Sequence, residues 1–384
     1  MKNITTELAA LQAVHLYRTR QEVTEKADNS YTSNGAQCIS FCHNDYLNLS
    51  QDARVIQAFK DGADQYGVGS GASAMISGYT YAHRQFEDAF ADFMQCERAL
   101  LFNNGYMANL GVMQALASRQ SMIYQDKLNH ASLIDAGRLS GASLKRYRHL
   151  DTAHLIQQVA KQKTDSDKLI VAEGVYSMEG ALSPLPELVK IAHSQKARLI
   201  IDDAHGIGVL GEKGRGSLEH FGLTMNEVNL LICPLGKAFG AAGAIVCGSQ
   251  SLIEFIMQKA RTYIYTTMMP PAVACALSAS LQIIQTEPWR RERVKENIIY
   301  FRQEAEKRQL LFEPSQTAIQ TIIVGDSKRA CDLSHCLLQQ GLLVVAIRPP
   351  TVPKNTARLR MTLTCQHEKK HIDKLLDELQ KQLT

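Results

Sequence analysis

Lys237 ends the run Leu230-Leu231-Ile232-Cys233-Pro234-Leu235-Gly236-Lys237 and is followed by Ala238-Phe239-Gly240-Ala241-Ala242-Gly243. An apolar, strand-like segment thus delivers one amine into a glycine-rich bend, where a bound group can approach the backbone closely. Upstream, Arg198-Leu199-Ile200-Ile201 runs into Asp202-Asp203-Ala204-His205-Gly206, which puts an acid and a histidine at another strand end. An amine able to form a Schiff base and an acid able to keep a pyridinium nitrogen protonated are the minimum equipment for pyridoxal phosphate chemistry. On spacing alone, a surface lysine and an unrelated carboxylate fit equally well.

Other candidates are weaker one by one. Asn103-Asn104-Gly105-Tyr106 follows the apolar Ala99-Leu100-Leu101-Phe102 and opens a helical stretch. Unpaired N–H groups at such a helix start suit a phosphate, and Gly105 lets an anion come close; a plain strand-to-helix turn is the alternative. His130 can stack on an aromatic ring or simply cap a helix. Ser177 can offer a hydroxyl to a ligand or serve a turn. Arg360 can seize a carboxylate with both arms or form an ordinary ion pair. Gly67-Val68-Gly69-Ser70-Gly71-Ala72 has the spacing of a dinucleotide loop, but the stretch before it, Val55 to Tyr66, reads as helix where that loop needs a strand.

These residues need a frame. From about residue 50 to 285, helical stretches alternate with short apolar runs, among them 99–102, 169–172, 199–201, 230–233 and 244–246. Apolar runs without period-two alternation, separated by helices, predict an α/β domain whose mostly parallel sheet is buried on both faces. Ahead of it, Leu8, Leu11, His15 and Leu16 predict a short amphipathic helix ending near Tyr17-Arg18, followed by a polar stretch through Asp28-Asn29-Ser30 and a strand at Cys38–Phe41. After Pro288 come a charged helix from Arg290 to Arg308, a strand at 319–324, a helix at 331–340 and an apolar run at 342–347. Leu359, Met361 and Leu363 alternate with Arg360, Thr362 and Thr364, the pattern of a half-buried strand, and Ile372, Leu375, Leu376 and Leu379 line a closing helix. Three segments result: an N-terminal extension (1–48), a large domain (49–285) and a small C-terminal α+β domain (286–384).

At 384 residues, with 45% hydrophobic and 21% charged residues, the composition is that of an ordinary globular protein with a sizeable core. The net charge of +4 is spread along the chain, and no dense basic run with interleaved aromatics argues for a nucleic-acid partner. Nine scattered cysteines without a CxxC pair read as reduced thiols, not as a metal or disulfide framework. Neither a signal-peptide pattern nor a long uncharged apolar stretch occurs, so a cytoplasmic protein without a membrane segment is expected.

The order of these motifs is more specific than any one of them. Asn44-Asp45-Tyr46-Leu47, Asn129-His130-Ala131-Ser132, Glu173-Gly174-Val175-Tyr176-Ser177-Met178, Asp202-Asp203-Ala204-His205-Gly206, Leu235-Gly236-Lys237 and Arg358-Leu359-Arg360 together resemble the α-oxoamine synthases, a branch of the fold-type-I pyridoxal phosphate enzymes, over nearly the whole chain. The resemblance implies a large domain with a seven-stranded, mostly parallel sheet, a small C-terminal domain, and a homodimer with active sites at the interface. It implies that Lys237 holds pyridoxal 5'-phosphate as a Schiff base and later acts as general base. Asp202 then pairs with the pyridine nitrogen, His205 with the ring hydroxyl oxygen, and His130 stacks on the ring. Gly105, Tyr106 and Ser177 serve the phosphate or cofactor pocket. Asn44 and Arg360, beside His130, hold the amino-acid substrate, while Arg18 and Thr351 belong to the acyl side.

Within the branch, Ile347-Arg348-Pro349-Pro350-Thr351-Val352-Pro353 with Thr356-Ala357-Arg358-Leu359-Arg360 looks most like the members that condense L-alanine with a pimeloyl thioester in biotin biosynthesis. Sister enzymes that make aminolevulinate or aminoketobutyrate usually lack the Arg-Pro-Pro form. The acyl carrier, coenzyme A or an acyl-carrier protein, stays open, as does glycine in place of alanine. A non-catalytic relative is disfavoured, because such proteins commonly lose the lysine that this chain keeps. One position departs from the pattern. The family usually has threonine three residues before the lysine, binding phosphate through its hydroxyl, and here stands Pro234, with neither hydroxyl nor N–H. Thr266 and Thr267 match a segment that reaches across the dimer to the neighbour's phosphate and are expected to compensate.

Overall fold

The computed structural model describes residues 3–27, 30–33, 36–161 and 166–383, and contacts divide the chain into two units. One comprises Leu49–Tyr176 and Leu182–Arg291; the other comprises Met1–Asn48, Ser177–Ala181 and Glu292–Thr384. Residues 1–48 thus share a unit with the C-terminal segment, and the later limit falls at Arg291, inside the helix Trp289–Lys307.

The larger unit holds a seven-stranded sheet in the order Arg98–Phe102, Ala244–Gly248, Leu230–Pro234, Arg198–Asp202, Lys168–Glu173, Met122–Asp126, Ser143–Tyr147. Four of its pairings are parallel; only Ala244–Gly248 runs against both neighbours. Helices cover the sheet, and its residues read as unbroken apolar runs because both faces are buried: Leu169, Ile170, Val171, Leu199, Ile200, Ile201, Leu231 and Ile232 are all fully enclosed. The parallel arrangement has a consequence for chemistry. Phe102, Asp126, Glu173, Asp202 and Pro234 all end strands on the same edge of the sheet. The carboxyl edge of such a sheet is where loops converge on a ligand.

The smaller unit contains a four-stranded sheet (Val23–Ala27, Ser30–Ser33, Ala36–Ser40, Leu342–Leu343) and a three-stranded one (Ile319–Gly325, Ala357–Thr362, Val345–Ile347). Its closing helix Lys369–Leu383 buries Ile372, Leu375, Leu376 and Leu379.

Four local expectations change here. The first helix spans Ile4–Ala13 and buries no residue; the N–H groups of Leu16 and Tyr17 both turn back to the carbonyl of Leu11, and His15 takes a left-handed φ of 56°, which stops the helix short of Arg18. Of the polar stretch after it, Asp28 and Asn29 lie outside the described residues, while Ser30 begins a strand. The apolar run 342–347 is two strands in two sheets, parallel to Ala36–Ser40 and antiparallel to Ala357–Thr362. The strand Ala357–Thr362 is buried throughout, not half-buried, because its polar side chains are satisfied internally: Arg358 pairs with Glu179 at 2.9 Å and Thr362 Oγ1 donates to the His43 carbonyl at 2.6 Å. Among the described residues no helix is long and apolar enough to cross a membrane.

Candidate active site

A cavity of about 190 Å3 in the larger unit is lined by residues that follow the carboxyl ends of five strands: Gly105, Tyr106 and Asn109, His130 and Ser132, Glu173, Asp202 to His205 without Asp203, and Pro234 and Lys237. Each arrives by local chemistry. Asn104 caps the helix Gly105–Leu116, its Oδ1 accepting from Met107 N at 2.9 Å, so the main-chain N–H groups of Gly105 and Tyr106 sit in a first turn that has no intrahelical acceptor for them. Gly105 is held tightly: a β-carbon there would lie 2.8 Å from Pro234 Cγ. Lys237 follows Leu235, whose N–H bonds the Gly243 carbonyl at 2.9 Å, and Gly240 closes the bend by donating to the Lys237 carbonyl at 2.8 Å.

Asp202 ends its strand nearly buried and accepts from Ala204 N at 3.1 Å and from Asn109 Nδ2 at 2.8 Å. Asp203 is different. It does not line the cavity; its carboxyl lies where β-carbons on Gly174, Gly206 or Gly216 would stand, within 1.9–2.2 Å, and Oδ2 accepts from Ser217 N at 2.8 Å. Full burial pushes that carboxyl up to about 7, against the lowering effect of Ser217.

His130 caps the helix Ala131–Leu139 through Nδ1, which accepts from Ser132 N at 3.2 Å, while its own N–H donates to Glu173 Oε1 at 2.5 Å. Helix capping and a place in the cavity wall are therefore joint properties of one residue. The surrounding walls lower its pKa, with Lys237 adding to that effect and Asp202 opposing it. His205 is buried and lines the same cavity.

The remaining candidates lie elsewhere. In the smaller unit, Arg360 donates from Nε to the Ser177 carbonyl at 2.6 Å and from Nη2 to Asn44 Oδ1 at 3.1 Å, so three residues far apart in sequence meet on one guanidinium. Arg18 Nη2 donates to Thr351 Oγ1 at 3.2 Å on the surface of the same unit. Thr266 and Thr267 do not line their own chain's cavity; Thr267 is exposed, and its carbonyl accepts from Asn103 Nδ2 at 2.7 Å. Reasoning from sequence did not single out Asn109, Ser132 or Glu173. Ser132 and Glu173 lie inside quoted motifs, but Asn109 had only its one-turn offset from Gly105 to betray it.

The donor set fits pyridoxal 5'-phosphate. It offers an amine at Lys237, a buried acid at Asp202, a histidine at His205, helix-start N–H groups at Gly105 and Tyr106, and in Asn109 Oδ1 a buried acceptor with no partner among the described residues.

Comparison with known proteins agrees. The profile of the aminotransferase class I and II family matches residues 36–379. The 8-amino-7-oxononanoate synthase of Thioalkalivibrio sulfidiphilus is 49% identical, covering 100% of this chain and 98% of that protein; the one of Methylococcus capsulatus is 48% identical, covering 97% and 96%. Among solved structures, a serine palmitoyltransferase from S. paucimobilis carrying a pyridoxal phosphate–myriocin adduct superposes with a TM-score of 0.94 at 28% identity, over 99% of this chain and 96% of that one. The 8-amino-7-oxononanoate synthase of Francisella tularensis gives 0.79 at 34% identity, over 90% and 98%. From its motifs, its fold and this full-length likeness, the chain belongs to the aminotransferase class I and II family and, within it, to the 8-amino-7-oxononanoate synthases.

Proposed function

We propose that this protein condenses L-alanine with a pimeloyl thioester, releasing CO2 and the thiol carrier, to form 8-amino-7-oxononanoate for biotin synthesis. The observation that carries the reading is the gathering of Lys237, Asp202, His205 and His130 around one cavity in a chain nearly half identical to synthases of that name.

Bound there, pyridoxal phosphate supplies a sink for the electron pair left when alanine loses its Cα proton. The chain's own groups do the rest. Lys237 anchors the cofactor and then accepts the Cα proton on Nζ. Asp202, buried and accepting from two N–H donors, would pair with the pyridine nitrogen. His205 holds the ring hydroxyl oxygen and His130 covers the ring face. Gly105 and Tyr106 offer their N–H groups to the phosphate, with Ser177 assigned to the same pocket. Arg360 and Asn44 are assigned to the alanine carboxylate, Arg18 and Thr351 to the acyl side. The Cα electron pair forms the new C–C bond to the thioester carbonyl carbon and the thiolate leaves with the C–S pair; CO2 then departs, and the proton held on Lys237 Nζ goes to the electron pair it leaves on Cα.

A homodimer suits the surface. Val68, Ile76 and Tyr265 are 91%, 80% and 71% exposed, and the segments carrying them are stitched together by the Ser73–Thr267 bridge and by Met268 N donating to the Ala72 carbonyl at 2.9 Å. Apolar side chains left so open on linked segments call for a partner surface, and a second copy would also bring its Thr266 and Thr267. All nine cysteines are free, which suits the reducing cytoplasm. Steady-state assays of alanine, glycine and serine against pimeloyl, acetyl and palmitoyl thioesters, each on coenzyme A and on acyl-carrier protein, test the reading. Alanine with the pimeloyl group should give the highest kcat/KM; a higher value for glycine with acetyl, or serine with palmitoyl, overturns it.

A further inference from the structure

A hydrogen-bonded chain joins Asp202 to His130. Asn109 Nδ2 donates at 2.8 Å to Asp202 Oδ2 and at 2.8 Å to Ser132 Oγ, and Ser132 Oγ lies 2.7 Å from His130 Nδ1. All four side chains line the same cavity, and Asn109 and Ser132 are each only 1% exposed.

The direction of every proton in this chain is fixed from both ends. The Asp202 carboxylate only accepts, so the amide must present its NH2 to it. Turning the amide over would set its oxygen against the carboxylate, two acceptors with no proton between them. With its NH2 shared between Asp202 and Ser132, Asn109 makes the serine oxygen an acceptor, and the single hydroxyl proton is left for Nδ1. From the other end, the main-chain N–H of Ser132 also points at Nδ1, at 3.2 Å, and an amide N–H can only donate. Nδ1 is therefore bare, and in a neutral ring the proton belongs on Nε2.

We propose that Asn109 and Ser132 are positioning residues that hold His130 in its Nε2–H tautomer, so that the imidazole meets the cavity as a neutral donor to an oxygen acceptor such as a substrate carbonyl. The lowered basicity of the ring fits a neutral imidazole. Asp202 thereby acts twice, because the charge that serves the pyridine nitrogen also orients Asn109, and through it the ring standing over the same cavity. The kinetic consequence rests on the function proposed above; the tautomer does not.

The test is 15N NMR of the holoenzyme labelled with 15N-histidine, the His130 signals being identified by their loss in His130→Gln. Wild type should show a protonated Nε2 and a bare Nδ1; a protonated Nδ1, or an even exchange between tautomers, overturns the proposal. Ser132→Ala, which keeps the backbone N–H but removes the shorter hydroxyl contact, should admit a second, Nδ1–H population. Asn109→Leu should do so from the other end, by releasing the hydroxyl from its fixed donor. A wild-type tautomer signature in either variant with native circular dichroism overturns the relay. Both variants should lower kcat on the order of fivefold, the equivalent of one neutral hydrogen bond, with KM for alanine within about twofold. If the cavity served a different reaction, the tautomer shift would persist while this kinetic effect on condensation would have no counterpart.

Discussion

Gly105 and Pro234 meet across the cavity wall with no room between them for a methyl group, since a β-carbon on the glycine would lie 2.8 Å from Cγ and 3.2 Å from Cβ of the proline. The glycine is needed for this approach and not for its backbone angles, because it sits in an ordinary first helical turn. In such a turn alanine would otherwise be favoured by about 0.5–1 kcal/mol. Overpacking against a rigid ring costs about 1–3 kcal/mol and should win. Gly105→Ala should therefore lower apo-protein stability in chemical denaturation, while the same change in a Pro234→Ala background should be close to neutral. Equal costs in both backgrounds would show that the two residues do not share this contact.

Pro234 is tolerated inside the sheet for a reason visible in the register. It is paired with Ala244, and the ladder bond beside that pair is made by Leu235 N to the Gly243 carbonyl, so the missing N–H costs no bond on that side. What the proline removes is a hydroxyl in the cavity wall. Pro234→Thr should slow cofactor dissociation by on the order of tenfold if that hydroxyl reaches the phosphate, since a hydrogen bond to a charged group is worth about 1.5–3 kcal/mol. Dissociation measured by dilution into apo-protein buffer, with release followed by absorbance, decides it. Equal or faster release in the threonine variant would mean that the wall has been rebuilt around the proline.

The sheet was legible because strands buried on both faces leave unbroken apolar runs, and 99–102, 169–172, 199–201, 230–233 and 244–246 all fall within strands. The smaller unit was harder. Val23–Ala27 and Ser30–Ser33 carry too few apolar residues to signal a strand. Arg358, Arg360 and Thr362 look like a solvated face although they are buried, because their partners come from residues 43–44 and 177–179, a distance no periodicity encodes. At the cavity, residues on strand ends were recognisable by type. Asn109 was not, since its importance lies in two contacts, to residues 23 and 93 positions away.

Asp203 should govern part of the pH dependence of stability. Its carboxyl is raised in the folded protein to about 7, far above the unfolded value of about 3.9, so the native state binds the extra proton between those limits. Its contribution is fully present at low pH and is lost as pH rises through 7, by up to about 4 kcal/mol. Glu87, buried and also raised to about 7, acts with the same sign, so the comparison must be made against Asp203→Asn. That variant keeps the shape and the acceptor for Ser217 N without titrating. Denaturation midpoints from about pH 5 to 8 should fall less steeply in the variant than in wild type. Parallel curves would place the ionised carboxylate in the native state throughout.

The acyl side should depend on the surface pair Arg18 and Thr351. The guanidinium donates to the threonine hydroxyl at 3.2 Å, and both residues are exposed, so the contact itself adds little stability. Nearby, Arg348 Nη1 donates to the carbonyl of Tyr17, so a second guanidinium steadies the segment from which Arg18 projects. Pimeloyl thioester carries a terminal carboxylate, and an arginine held by one neutral hydroxyl keeps donors to spare for it. Arg18→Ala should raise KM for the pimeloyl thioester about tenfold, the weight of one charge-assisted hydrogen bond, and leave alanine-induced spectral changes of the holoenzyme nearly intact. Thr351→Ala should have a smaller effect in the same direction, because it frees the arginine without removing it. If both substrates weakened together in Arg18→Ala, or neither did, the segment around Arg18 would be structural and the carboxylate would be held elsewhere.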